Sequence, residues 1–294
     1  MEPVLSVVIG CSNAAATIQQ CLGSMVHADP AVEIIVVDSS SDGSGDIVST
    51  LFPAVGLVRM AEGLLVPLLW AEGIRRSRGA FVALTTAHCI PQTDWVERCL
   101  NVRQQLSSHG GAGGPILEPS GGTAADWAMY LARYSAYLPP LPARLTDDIA
   151  GDNALYRRDL LERYWVDKSA FWEQTYHRAL HEHGLALLMD PNLAVRSGSG
   201  NSFSRFCSVR FRHGTHYGSS RPISAAERLF RFFASPLLAP FLLVRIVRRV
   251  LTRRPDWKVS LLRVMPLLAI AVLAWSAGEA AGYLHLRAKP SPSA

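Results

Sequence analysis

Cysteine is scarce in this sequence and none of it is spaced to bind. The 294 residues hold five cysteines (Cys11, Cys21, Cys89, Cys99 and Cys207) with no CxxC pair. That spacing argues against a structural zinc site, and the odd number argues against a secreted disulfide framework. Aromatic residues make up only 9% and charged residues 18%, against 49% hydrophobic, a balance that excludes a disordered chain. No GxGxxG follows the first apolar run, where Gly10 stands alone, which speaks against a dinucleotide-binding oxidoreductase. No internal repeat is found. A charged leader is missing too: Met1-Glu2-Pro3 runs straight into Val4–Ile9, which reads as a buried strand. The expectation is a chain that folds from its first residues, in the cytoplasm.

At this length the choice is one large α/β domain with an appendage, or two modest domains. The net charge of +5 is unevenly placed. Residues 205–263 hold 13 of the 29 Lys+Arg and only Glu227 and Asp256 as acids, so that segment is +11 and the remainder −6. A basic belt beside an acidic body is not the pattern of a nucleic-acid binder. It suits a localised contact with an anionic surface such as a membrane leaflet.

The first 110 residues alternate β-branched runs with helical stretches. Val4–Ile9, Glu33–Val37, Val55–Arg59 and Phe81–Thr85 read as strands, and Ala14–Met25, Leu64–Arg78 and Trp95–Leu106 as helices. This alternation predicts a mostly parallel sheet covered on both faces, with ligands beyond the carboxyl ends of its strands. The loops after Ile9, Val37 and Thr85 are therefore the places to seek chemistry. Gly110–Pro115 reads as a flexible break. Asp126–Tyr137 reads as an aromatic helix whose Trp127, Tyr130, Tyr134 and Tyr137 are better core than sugar platform. Asp147–Gly184 is dense in polar residues.

From Ser224 the character changes, and the expected boundary separates residues 1–223 from a basic, apolar helical tail, 224–294. Arg245, Arg248 and Arg249 are spaced to share one helical face, with Phe241, Leu242, Val244 and Val247 largely elsewhere. Val264–Gly278 is charge-free for 15 residues, then Glu279 interrupts before Ala280–Leu286. A spanning helix needs roughly 18 or more apolar residues, so an interfacial or re-entrant hairpin is expected.

Several blocks, in order, resemble family 2 glycosyltransferases of the GT-A fold, over about residues 4–196. Ser6-Val7-Val8-Ile9-Gly10-Cys11-Ser12-Asn13 is similar to the opening strand and turn, and Ala16-Thr17-Ile18 with Cys21-Leu22-Gly23-Ser24 to the next helix. Glu33–Ser44 is similar to the second strand and its acidic turn, with Ser39 where a second Asp is common. Gly73-Ile74 and Gly79-Ala80-Phe81-Val82 lead into the metal motif's place, and Pro91 and Trp95 follow it. Gly151-Asp152-Asn153-Ala154-Leu155-Tyr156-Arg157-Arg158 is similar to the acceptor-side motif, and Phe171-Trp172-Glu173 with Leu180 and Gly184 to the segment carrying the catalytic acid.

The resemblance implies a nucleotide-diphospho-sugar donor and a base that deprotonates the acceptor hydroxyl, and it gives the site residues expected roles. Asp38 reads the nucleotide base, unless it only makes an Asx turn or helix cap. Asn13 pins the first loop or touches the nucleotide, and Asp42 caps the following helix. Glu173 is the expected catalytic base. Asp152 and Asn153 are expected on donor or acceptor hydroxyls. Arg157 and Arg158 are expected on a diphosphate or lipid phosphate, or else in salt bridges to Asp159 or Glu162. His177 either orients Glu173, faces the acceptor or is an ordinary surface histidine; Glu162, Glu182, His181 and His183 read as surface residues.

One part of the family pattern is missing. Its Asp-x-Asp, which holds magnesium or manganese against the diphosphate, is replaced by Thr86-Ala87-His88, and Arg196-Ser197 stand where a further histidine ligand often follows Pro191–Val195. His88 is thus a ligand of an unusual site completed by Asp147 or Asp148, or a protonated donor to the leaving phosphate helped by Arg157 or Arg158, or a structural loop histidine. The whole points to a transferase on the cytoplasmic face of the cell membrane, inverting, acting on a lipid-linked or membrane-proximal acceptor such as a cell-envelope glycan. A catalytically degenerate scaffold that binds a nucleotide-sugar or glycan without turnover is the alternative.

Overall fold

The computed structural model describes residues 2–25, 31–221 and 223–284, so the end of the expected Ala280–Leu286 segment lies outside the described residues. Two compact units result: Met1–Gly121 with Tyr137–Gly200, and Gly122–Ala136 with Asn201–Ala294. The expected boundary at 223/224 falls inside the second unit, because the aromatic helix and the helix that starts at Phe203 pack with the tail rather than with the sheet.

The first unit is built on β1 (Leu5–Cys11), whose seven residues are all buried, as a strand covered on both faces must be. After α1 (Ile18–Gly23), β2 (Val32–Asp38) joins it in parallel; α2 (Ser44–Leu51), β3 (Gly56–Arg59), α3 (Val66–Arg76) and β4 (Phe81–Thr86) complete the expected alternation. Then come β5 (Cys89–Pro91), α4 (Trp95–Val102), β6 (Gly111–Gly113) and β7 (Ile116–Leu117). In the second unit α5 is Ala124–Tyr134. Back in the first are β8 (Arg144–Thr146), β9 (Asn153–Arg157), α6 (Arg158–Tyr164), α7 (Glu173–Glu182), β10 (Leu187–Met189) and β11 (Val195–Ser197). The main sheet has the order β3-β2-β1-β4-β9-β6-β10-β8, and β5-β11-β7 form a second, small sheet. Strands β3, β2, β1 and β4 run parallel, while β9 is antiparallel to both of its neighbours.

Two expectations fail locally. The predicted helix over Ala14–Met25 shrinks to α1, because Thr17 spends its hydroxyl on the Ala87 carbonyl at 2.7 Å and the residues before it are tied to the loop after β2. The glycine run taken for a flexible break is β6, fully buried in the sheet. A Cβ at Gly111 would lie 2.6 Å from the Tyr156 ring, and one at Gly113 2.7 Å from the Asn153 carbonyl. Here glycine supplies close approach to β9, not mobility.

The second unit is helical: α5, then α8 (Phe203–Ser220), α9 (Ala225–Ala234), α10 (Leu238–Arg253) and α11 (Lys258–Leu284). Thr123 and Asp126 close a reciprocal capping box on α5, and Ser202 and Ser224 cap α8 and α9. Tyr130 and Tyr134 are buried, and Trp127 meets Trp257 edge-on at 4.9 Å, so the aromatic stripe is packing as expected. Helices α8 and α11 meet backbone to backbone through Gly214 and Gly218 on one and Gly278 and Gly282 on the other.

Glu279 does not interrupt the apolar run. It is buried and accepts hydrogen bonds from Trp275 Nε1 (3.0 Å) and Tyr283 Oη (2.6 Å), one turn to either side, so α11 continues for 27 residues. Ala225–Arg253 and Pro255–Leu284 are each long and apolar enough to cross a membrane, and only 17% and 33% of their most apolar stretches are buried. On α10 the expected segregation of charge fails as well: Phe241 and Val244 are exposed alongside Arg245 and Arg248. Long arginine stems lie along apolar neighbours while their heads stay in water, so one face can carry both.

Candidate active site

The carboxyl ends of β1, β2 and β4 lie level in the sheet, with Cys11 beside Asp38 and Gly10 beside Thr86. Asp38, 3% exposed, ends β2 and accepts a hydrogen bond from the Ser40 N–H at 3.1 Å. Its other oxygen faces Gly45 in the first turn of α2, where a Cβ would run into it and come within 2.8 Å of Arg59 Nη1. Asp38 thus makes the Asx turn and also sits at a helix N-terminus, where a negative charge is favoured. Burial, reinforced by Asp38, pushes the neighbouring Cys11 thiol up to about 12, so it stays protonated.

The loops after β1 and β2 are laced together. Asn13, at φ 56°, donates its N–H to Ser40 Oγ (2.8 Å), and its side-chain oxygen accepts from the N–H and hydroxyl of Ser41 (3.1 and 3.2 Å). Asparagine tolerates this left-handed conformation better than most residues. Asp42 is not the helix cap, a place taken by Gly43. It accepts instead from the Ala15 N–H (3.0 Å) and from both Ser44 donors. Burial raises its pKa, but these hydrogen bonds outweigh it and hold the carboxyl below its usual range.

His88 follows β4. Its Nε2 donates to the Ser12 carbonyl at 3.1 Å, fastening the loop after β4 to the loop after β1. Its own carbonyl accepts from the Gly198 N–H (2.7 Å), which brings the end of β11 alongside. The two segments in which the family resemblance places metal ligands are therefore neighbours, yet Thr86 offers a neutral buried hydroxyl and Arg196 turns to the Glu118 carbonyl (2.7 Å). Among the described residues no group of three or more His, Cys, Asp or Glu could hold a metal ion. A hard divalent cation wants several anionic oxygens, and this donor set does not fit one.

Glu173 opens α7 and is carried to the same end of the sheet. A Cβ on Gly151 would lie 3.3 Å from the Glu173 carboxyl carbon and 2.9 Å from the Trp70 ring, while Trp70 Nε1 donates to the Thr85 carbonyl at the end of β4 (2.8 Å). Thr85 Oγ1 in turn donates to the carbonyl of Asp152 (2.9 Å). Glu173 and Trp70 thus both border Gly151, and the backbone of Asp152 next to it is held to the end of β4. Three strand spacings separate β2 from β9, so the Asp38 and Asp152 ends of this row stand about 14 Å apart.

Three expected site residues lie elsewhere. Asn153 is wholly buried and its amide is used up: Trp95 Nε1 donates to it (2.8 Å), and it donates to the Leu193 and Pro115 carbonyls (2.7 and 3.3 Å). Arg157 and Arg158 leave β9 at its opposite end, four residues or about 13 Å from Asn153, opposite Phe81 where β4 begins. Arg157 pairs with Asp159 (2.6 Å) and Arg158 bonds the Gly79 carbonyl and Ser77 hydroxyl, so neither can help His88. Asp148 is likewise engaged away from His88. Its carboxylate accepts from His177 Nδ1 (2.8 Å) and Tyr137 Oη (2.7 Å), while Asp147 lies 3.4 Å from His181.

His177 itself is buried, not a surface residue, and its Nε2 meets Tyr156 Oη at 2.6 Å. With Nδ1–H donated to Asp148, Nε2 accepts from the tyrosine. Burial, and then the nearby Glu173 and other groups, push the Tyr156 phenol well above its ordinary range, so it remains a donor. This Asp148–His177–Tyr156 chain was hidden in the sequence because its members are 29 and 21 residues apart. The spacing of Glu173 and His177, one turn apart on a helix, was the available signal.

Compared with known families, residues 6–165 match the model of Glycosyl transferase family 2, more than half of the chain. The chain belongs to this family. It is 31% identical over 135 residues to glycosyltransferase AglE of Haloferax volcanii, an alignment covering 42% of this chain and 43% of AglE. The chain thus spans less than half the length of that curated relative. Among solved structures, S. aureus TarS 1-349 in complex with UDP-GlcNAc superposes with a TM-score of 0.52 at 13% identity, over 95% of this chain and 90% of that one. Mannosyltransferase PcManGT from Pyrobaculum calidifontis, in complex with GDP-Man and Mn2+, gives 0.49 at 18% identity over 97% and 74%. The likeness to TarS is one of fold, and the expected GT-A architecture of a family 2 glycosyltransferase stands.

Proposed function

We propose that this family 2 glycosyltransferase moves a sugar from a nucleotide-diphospho-sugar to an acceptor hydroxyl with inversion, using Asp38 to read the base and Glu173 to take the proton. One observation carries this reading: Glu173, remote in sequence, lies against Gly151 and Trp70 at the sheet edge where Asp38 also ends its strand. UDP-GlcNAc in TarS agrees with a donor of this class. In the reaction the Glu173 carboxylate accepts the hydroxyl proton as the acceptor oxygen bonds to the anomeric carbon. The bond to the diphosphate breaks on the opposite face, and its electron pair leaves with the nucleotide. In this reading Asp152, next in the chain to the Gly151 that Glu173 approaches, orients a sugar or acceptor hydroxyl. His88 and Asn13 act by fixing the loops around the donor. No step is assigned to a divalent metal, for which the described residues around His88 do not offer a fitting set of ligands.

The acceptor in this reading is lipid-linked or membrane-proximal, with the protein on the cytoplasmic face of the membrane. The apolar exposed faces of α9 to α11 beside exposed arginines support it. The Thr86-Ala87-His88 substitution favours a second reading, a scaffold that binds a nucleotide-sugar without turnover. Thermal-shift screening of nucleotide-sugars with manganese, magnesium or EDTA names the donor and should show indifference to EDTA. Glu173→Gln then decides: turnover should fall about 10²–10⁴-fold with donor binding kept. A wild-type chain that binds donor but never turns it over establishes the scaffold.

A further inference from the structure

The Asp148–His177–Tyr156 chain ties together the segments around Glu173. His177 stands one turn after Glu173 on α7, and residues four apart on a helix are neighbours on one face. Its Nδ1–H is donated at 2.8 Å to Asp148, three residues before the Gly151 that the Glu173 carboxyl approaches. Helix and loop therefore meet at two places, one turn apart. Asp148 is fixed from the other side as well, since its second oxygen accepts from Tyr137 Oη at 2.7 Å. Across the imidazole, Nε2 accepts from Tyr156 Oη at 2.6 Å. The Tyr156 ring lies 5.6 Å from that of Phe171 and 5.2 Å from that of Tyr176, two residues before Glu173 and three after it. Strand β9 thus grips α7 on both sides of Glu173 in the chain.

A base must stand within about 3 Å of the hydroxyl it deprotonates, and a misplacement of about 1 Å can cost about 10²-fold in rate. Glu173 is the first residue of α7, and helix ends fray, so the helix alone does not fix its carboxylate. What fixes it must bind α7 to the loop it faces. We propose that Asp148 and His177 are positioning residues that hold Glu173 against the Gly151–Asp152 loop, with Tyr156 seating α7 on β9. The inference rests on Glu173 being the base of the proposed transfer. His177 is 3% exposed and both of its ring nitrogens are engaged, so it acts through Glu173 and not on a substrate.

The test uses the full chain, well below its unfolding temperature, in two measurements. Hydrogen exchange needs no nucleotide. In His177→Phe, residues 147–152 and 171–176 should lose protection while β1 and β2 keep theirs. His177→Asn, whose amide takes the place of Nδ1–H, should restore it, and His177→Gln, which reaches only the Tyr156 side, should not. Turnover is read as UDP or GDP released from UDP-GlcNAc and GDP-mannose. His177→Phe should lower kcat about 10²-fold with KM for the nucleotide-sugar little changed, since Asp38 ends a strand three places away from β9, and His177→Asn should recover most of the rate. If His177→Phe fails to fold, Asp148→Ala, at a side chain 48% exposed, carries the same expectations. Added to Glu173→Gln, His177→Phe should cost no further rate, because both act through one group. A further loss there, or exchange in the single variants that matches the wild type, overturns the positioning role. A Glu173→Gln chain that turns over like the wild type overturns the base itself, so the two readings fail separately.

Discussion

A carboxylate at the tip of a parallel strand has little freedom, and at Asp38 the room is set by a residue with no side chain. Gly45→Ala should gain about 1 kcal/mol of helix propensity, yet its methyl must displace the Asp38 carboxylate. Calorimetry should show nucleotide-sugar affinity falling about tenfold or more with the thermal midpoint little changed, the loss expected when a charged hydrogen bond is broken. At the other end of the same strand, Glu33 joins β2 to β1 and β4. Burial raises its pKa, but hydrogen bonds from Ser6 and the Arg78 and Gly79 N–H groups, with the Arg78 charge, prevail and lower it. A carboxyl whose folded pKa is depressed stabilises above its unfolded value, about 4.3, and that stability is lost as pH falls through the folded value. Glu33→Gln should therefore lower the unfolding midpoint at neutral pH and match the wild type in acid, as denaturant melts at both pH values will show. Asp38 ends β2 and Glu173 opens α7 where the sequence reading put them, because strand ends and helix starts are local. Asn153, Arg157 and Arg158 could not be sorted, since which end of an antiparallel β9 faces the site depends on its pairing with β4.

Among the elements, the α8–α11 seam has the least room for change. A Cβ at Gly278 would collide with the Phe211 carbonyl, and one at Gly214 would lie 2.8 Å from the Glu279 N–H. Backbones this close gain packing that any side chain forfeits. Gly278→Leu should cost 1–3 kcal/mol or more and lower the melting temperature, whereas Leu262→Ala, at an exposed position of the same helix, should change it little. The small-residue spacing of Gly214/Gly218 and Gly278/Gly282 was in the sequence, but only the pairing of the two helices gives it meaning. The β6 glycines are the converse case. Their sequence signal is mobility, and burial against Tyr156 and Asn153 makes it rigidity instead.

For the whole molecule, the question is what the apolar helices meet. Deleting residues 224–294 would remove α11 from α8 and α5, so loss of membrane binding there would be confounded with unfolding. Replacing Phe230, Phe233 and Phe241 by serine changes only side chains that are 72%, 71% and 62% exposed. At about 1.5–3 kcal/mol for each side chain buried in lipid, the triple variant should lose a hundredfold or more in vesicle partitioning while melting like the wild type. Equal sedimentation of both with membranes would remove the membrane from the proposed function.

The sequence by itself determined the alternating α/β class, the family blocks, the loss of metal carboxylates at Thr86-Ala87-His88 and the basic, apolar C-terminal character. Each of these is a matter of residue type and short-range period. Only the tertiary structure decided that Asn153 is a core amide, that Arg157 and Arg158 stand at the far end of the sheet, and that Glu279 is satisfied within a continuous helix. The same holds for Asp148, His177 and Tyr156, which meet in one buried chain. These outcomes rest on which partners arrive through strand pairing and helix packing from dozens of residues away, and no local pattern of hydropathy or charge encodes that arrival.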